Sequence, residues 1–413
     1  MAKLRGVCWV VLLSACTAKE QALTDDSSAP LVSPCSDGLW GSADPTAALQ
    51  VRADGDDGGD GSNSAPFASL EAAIEAGRAS GAAYAIFLGP GDFVAHADLD
   101  GATDPGVYLG GCGAETVLVP EERDETAQEF ALRVAAVPEL TLERLQVEGG
   151  ERPLWIWEGT QATLRDVEVY SARRTGILYD GVNTFATMEN VSVHDTIAVD
   201  IGSRSIGYGV SVRNLSSFSM SGGGIYNSTG IGLVVDGTAG ASSVSLTDVV
   251  VSGTQQDGDG LLGRGVHLQV VDSATFSGVS LESNYDTALF AVRAGTLNMS
   301  DVLISGIAAS DVGTGETSGD GVVVTAIDSL NPNPDPASYS AVLNNNAISG
   351  ADRLGVLFER VSAEVSGNTV SGSLSDLAAQ DGAVITGAQA GDVVSVQGLG
   401  LNRESVALDL LTQ

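Results

Sequence analysis

The sequence predicts an all-β chain wound as a parallel β-helix, a β-solenoid. Three observations predict it. First, 43% of the residues are hydrophobic yet only 5% are aromatic, and 52 of 413 are Gly, a composition suited to many short strands joined by tight turns. Second, a pattern of x-apolar-x-[Asp/Asn]-apolar-x-apolar returns at 163–169, 187–193, 245–251 and 298–304. Third, its first apolar residue, followed as Leu142, Leu164, Met188, Val212, Leu246, Phe276, Met299, Leu343 and Val365, recurs at gaps of 22, 24, 24, 34, 30, 23, 44 and 22 residues. A unit of 22 to 24 residues cannot bury its own apolar side. Stacked at about 4.8 Å per coil, its strands pair above and below, and about a dozen coils give a rod roughly 55 to 60 Å long.

Residues 1–15 read as an export signal. Lys3 and Arg5 form a basic start, Val7 to Leu13 an apolar run too short to span a bilayer, and small residues follow. Leu13-Ser14-Ala15-Cys16 resembles the lipobox of bacterial lipoproteins. That resemblance implies cleavage before Cys16, a diacylglycerol on its thiol, and an exported protein anchored by lipid to the cell membrane, the outer membrane or the cell surface. Residues 16–48 then form a lipidated start and tether, polar and without apolar periodicity. With Cys8 in the signal and Cys16 acylated, Cys35 and Cys112 remain. In an oxidising compartment they are expected to form a disulfide, the alternative being two buried thiols.

The body, 49–413, opens on a Gly/Asp/Ser run. A helix near 66–80 follows from the apolar spacing of Leu70, Ala73, Ile74 and Ala76, with Ser64 as a candidate N-cap and Gly81 as the stop. Tyr84 to Leu88 reads as a strand entering a Pro90-Gly91 turn. This order of acidic Gly loop, Pro-Phe-x-Ser-Leu helix, apolar strand and Pro-Gly-x-Phe turn resembles the N-terminal entry of bacterial β-helix proteins of the pectate-lyase-like superfamily. The resemblance implies a right-handed parallel β-helix whose helix caps the open end of the core. Second strands such as 176–179, 265–268, 321–324 and 355–358 complete the coils. Loop insertions are expected near 254–262 and 308–340, where the gaps lengthen and Asp, Gly and Pro gather. Leucine-rich repeats share the period, but their L-x-x-L-x-L-x-x-N signature is absent.

Net charge is −34, and −36 without Lys3 and Arg5 (17 basic against 53 acidic residues). Such a field repels phosphate backbones and excludes nucleic acid as a partner, favouring cations or glycans. It also keeps an edge-rich protein soluble.

Several residue sets are candidates for chemistry. The recurring polar position, Asp166, Asn190, Asn214, Asp248, Asp301 and Asn345, reads first as a structural turn ladder. Asp54, Asp56, Asp57 and Asp60 offer hard oxygen ligands for Ca²⁺, the one candidate ion in a protein that requires no cofactor; they do not meet the EF-hand pattern and also suit solvated turns. Asp257 and Asp259 are a weaker pair of the same kind. Tyr170, His194 and Phe218, spaced by 24, are expected to form a ring column, and Trp157 to lie over Tyr179 with Trp155 beside it. Arg173, Arg174, Asp180, His194, Asp195 and Asp200 come from neighbouring coils, and from these sets Arg174, Tyr179, His194 and Asp200 are the ligand-binding candidates.

No catalytic residue is assigned. The G-H-G and R-I-K motifs of polygalacturonase-like hydrolases are missing, and the sole G-D-D, 55–57, precedes the cap helix. The expectation is a tethered β-solenoid that acts as a binding or structural module toward polysaccharide or cell-envelope components. The alternative is a carbohydrate-active enzyme, a polysaccharide lyase or glycoside hydrolase.

Overall fold

The computed structural model describes residues 33–42, 44, 46–122, 129–201, 204–237, 242–257, 260, 262–309, 319–327, 334–388 and 393–396. The chain is a right-handed parallel β-helix. Each full coil crosses three faces. The first two are joined in the opening coils by long strands, Leu140–Glu148, Gln161–Tyr170, Phe185–His194 and Ser217–Tyr226, that run through the corner unbroken. Later coils break there into pairs such as Ser273–Ser277 and Ser280–Glu282. Among the described residues the third face carries twelve strands, from Ala97–Asp100 to Val394–Ser395.

The inner row of the first face runs Leu142, Leu164, Met188, Met220, Leu246, Phe276, Met299, Leu343, Val365. It differs from the expected row at one member. Val212 sits on the third face between Tyr179 and Val235. The cause is an antiparallel hairpin, Val199–Ile201 with Arg204–Ile206, inserted between the second and third faces. It lengthens that turn of the chain to 32 residues (Met188 to Met220), so a count of 24 stops one face early.

The corner after the first face turns on a left-handed residue: Arg144, Asp166, Asn190, Asp248, Asp301 and Asn345, with φ between 50° and 56°, and Gly222, Gly278 and Gly367 in the other coils. Asp and Asn tolerate this conformation because their short polar side chains bond locally. Asn190 Nδ2 donates to Asp166 Oδ1 at 3.3 Å, which bears out the turn-ladder reading. Asn214 is the exception: it is left-handed too, but at the end of a third-face strand, where it donates to Asp180.

The third-face strands begin with a glycine column, Gly176, Gly209, Gly232, Gly265, Gly321 and Gly355. A Cβ there would lie 2.2 to 2.8 Å from Val370, Ile225, Val251, Asn284, Ile348 or Val193 across the core. This close approach is why Gly-apolar-x-apolar recurs so visibly in the sequence.

The cap helix is Leu70–Ala79. Its N-cap is Ser69 and not Ser64: Ser69 Oγ accepts from Ala72 N at 3.2 Å. Pro66 and Phe67 are extended, with Phe67 bridged to Val51. Leu70, Ala73 and Ile74 are buried in the common core, so the helix closes the first coil. Cys35 and Cys112 are joined as a disulfide, pinning the 33–48 segment to the first face, where Trp40 packs tilted against Phe87 at 4.7 Å. Within 308–340 lies the third-face strand Asp320–Thr325, so the extra length falls on both sides of it.

Candidate functional site

On most third-face strands the glycine and the residue after it both face the core, and alternation resumes from there. The outward rows in the early coils are therefore Arg152, Thr175, Tyr208; Trp155, Leu178, Ser211; and Trp157, Asp180, Arg213, Asp236. Beyond residue 32 the chain has no Lys at all, and four of its arginines, Arg133, Arg152, Arg174 and Arg213, gather on this ledge.

Rings and guanidiniums interleave there. The His96 ring lies tilted against Phe130 at 3.8 Å, Arg133 lies 5.0 Å from the Phe130 ring and 5.7 Å from Trp155, Arg152 is 5.6 Å from Trp155, and Trp155 is 5.3 Å from Trp157. Desolvated cation–π contacts of this kind hold flat groups in a fixed plane. Trp155 is only 5% exposed, and the indole N–H groups of Trp155 and Trp157 have no hydrogen-bond partner. Arg174 Nη1 donates to Glu151 Oε1 at 2.5 Å, and Arg213 lies 3.8 Å from Asp180.

The electrostatics follow from burial. Burial lowers the Arg174 guanidinium pKa, and the neighbouring Arg152 charge lowers it further. Burial raises the Asp180 carboxyl above its ordinary value, against the pull of Arg213 and Asn214. Trp157 and Arg133 are the partly exposed members, so a sugar ring can stack on the Trp157 indole and hydrogen-bond the Arg133 guanidinium, over a buried bed of Phe130, Trp155 and Arg152.

Of the four ligand-binding candidates, Arg174 lies on the ledge. Tyr179 points the other way and is fully buried in the core. Its register partner is Ile156, while Trp157 pairs with Asp180; the expected Trp157–Tyr179 stack is off by one residue, which in a strand means the opposite face. His194 lies on the outer second face, its Nδ1 2.8 Å from Asp195 and its Nε2 2.9 Å from Glu168. Burial lowers its pKa, but the two carboxylates outweigh that and hold it above the ordinary value. Its column is Tyr170, His194, Tyr226, Tyr170 stacking at 5.5 Å; Phe218 is instead inside, paired with Ala186, displaced by the same hairpin that moved Val212. Asp200 is exposed on the hairpin.

The acidic loop serves the cap helix. Asp57 Oδ1 accepts from Ala68 N and Ser69 N at 2.9 and 2.8 Å, Asp56 from Gly58 N, and Asp60 from Ser62 N; Asp54 lies beside them in sequence. Among the described residues, no three His, Cys, Asp or Glu side chains converge as a metal requires. Cys16 and Asp259 lie outside the described residues. Trp155 was legible as half of an alternating Trp pair, whereas Arg133, Arg152 and Arg213 carried no local motif and were missed.

The fold and the ledge together define a right-handed parallel β-helix with an aromatic and arginine-lined outer sheet. No protein-family model matches the chain, and no curated protein does. Among solved structures it is similar to the Azotobacter vinelandii mannuronan C-5 epimerase AlgE4 A-module, at 15% identity over 78% of this chain and 95% of that one, with a TM-score of 0.47. It is also similar to pectate lyase Pel9A (13% identity, 84% and 78% covered, TM-score 0.38) and to the catalytic domain of a GH87 α-1,3-glucanase (14%, 85% and 68%, TM-score 0.43). Likeness at this level transfers no residue role and no activity to this chain.

Proposed function

We propose that this protein is an envelope-tethered β-solenoid that binds an extended glycan along the third-face ledge, held to the membrane through lipid on Cys16. The observation that carries the reading is the partly exposed pair Arg133 and Trp157, held on the outside of a rigid sheet by contacts with the buried Phe130, Trp155 and Arg152. Sites on such elements are held to a fixed geometry without paying for ordering on binding.

The test uses the soluble domain and a panel of neutral and acidic polysaccharides, with and without Ca²⁺. Two of the four tryptophans are on the ledge, so binding is expected to shift the intrinsic fluorescence. Trp157→Ala should weaken binding about tenfold, the order of a single hot-spot side chain. Unchanged affinity in that variant would remove the ledge as the site. Labelled palmitate should enter the full chain but not Cys16→Ala.

A second reading, a carbohydrate-active enzyme, is favoured by Asp180, whose raised pKa beside Trp157 suits a general acid. New reducing ends or unsaturated products from the same panel, lost in Asp180→Asn, would select it over binding alone.

A further inference from the structure

Farther along the third face the outer side holds a second arrangement unrelated to the ledge. Arg264, His267 and Asp286 are all buried outside the solenoid core. Arg264 Nε donates to Asp286 Oδ2 at 2.8 Å, and Arg264 Nη1 donates to His267 Nδ1 at 2.7 Å. The Phe290 ring stacks under His267 at 5.4 Å with planes 10° apart, and the Arg264 guanidinium sits 4.1 Å from the same ring. Next to the cluster is an outer apolar layer in which Leu262 packs on Tyr208, Ile231 and Val234.

Arginine has no acceptor, so the Arg264–His267 bond requires a lone pair on Nδ1 and therefore a neutral imidazole. Protonation replaces that lone pair with an N–H, turning a hydrogen bond into two donors and two positive charges in contact with little water to screen them. The other charged or polar groups around the imidazole are Gln269 on the same strand, Asp286 held by Arg264, Asp320 paired with Arg353 on the following coils, Asp236 on the coil below, and Asp257 in the turn bonded to Leu262. Of these carboxylates, Asp286 and Asp320 are engaged with arginines, Asp236 and Asp257 have partners of their own, and the group bonded to His267 Nδ1 is Arg264.

We propose that Arg264, His267 and Asp286 form an acid-sensitive latch holding the outer layer of Leu262, Tyr208, Ile231 and Val234 against the solenoid, and that acidification releases this layer while the interior stays folded. Burial and the Arg264 charge both push the His267 pKa well below its ordinary value, so the latch stays closed near neutrality. The inner residues of the same strands, Val210, Leu233, Val266 and Leu268, belong to the core and carry no ionisable group, which confines the response to the outside.

The test is amide exchange by mass spectrometry on the wild type and His267→Asn from pH 7.5 to 4.5, corrected for intrinsic pH dependence. The Asn carbonyl keeps an acceptor for Arg264 at every pH. Exchange in 262–269 and 231–236 is expected to rise about tenfold for each unit below the His267 midpoint in the wild type, and to stay flat in His267→Asn. Equal acid response in both proteins would overturn the latch. Should the variant fold poorly, an imidazole NMR titration of the wild type decides: His267 must titrate below His194 and together with the exchange change. A normal midpoint, or titration with no exchange change, refutes the proposal whatever the ledge binds.

Discussion

A buried hydroxyl shows how finely side-chain direction matters. Tyr179 lies in the core with its O–H lacking any hydrogen-bond partner, and an unsatisfied buried hydroxyl is a cost. Tyr179→Phe is therefore expected to leave stability unchanged or raise it by up to about 1 kcal/mol, read as the urea midpoint at constant slope. A loss of stability would mean the hydroxyl has a partner. Alternation along 175–180 was readable, but which parity faced inward was not. The inward-facing glycine sets that parity, and a glycine is required there because neighbouring core side chains leave no room for a Cβ.

Among the elements, the cap helix depends on one carboxylate. Asp104 is fully buried and accepts from Arg78 Nε and Nη2, Tyr84 O–H, Asp100 N and Thr103 Oγ1. Burial raises its pKa, but these donors, Arg78 first, outweigh that and lower it below 3.8. A carboxyl lowered in the folded state contributes stability above its unfolded pKa and loses it as pH falls through the folded one. Asp104→Asn should cost about 2 kcal/mol at pH 7, loosen 70–79 in hydrogen exchange, and shrink the wild-type advantage below pH 3.8. A melting temperature equal to wild type at pH 7 would contradict this role. The helix was predicted from its apolar spacing; its N-cap was misplaced by five residues, because Ser69 Oγ takes the Ala72 N–H and Asp57 in turn holds the backbone N–H of Ser69.

For the whole molecule, stacking makes stability nearly one-dimensional, each coil depending on its neighbours. Phe276 and Met299 are register partners, as are Ser277 and Ser300. Deleting 277–299 joins equivalent points of adjacent coils and should leave a shorter, cooperatively melting solenoid with unchanged β-type circular dichroism per residue. Deleting 277–288 alone breaks the register and should abolish that melt. Two equally folded, or two equally unfolded, products would show that the register does not govern folding.

Period and composition alone determined the stacked parallel strands, because a repeat that cannot bury itself has to stack, and stacking reads directly off spacing; the cap came from the resemblance to β-helix entries, and the paired cysteines from the export signal. Tertiary structure alone decided which coil lengths were inflated, since the 199–206 hairpin moved Val212, Asn214 and Phe218 out of the columns that counting gave them. It alone also assembled the ledge and the buried Arg264 cluster. Outward rows draw one residue from each coil, and a single arginine per two dozen residues has no local pattern until the coils are laid one over another.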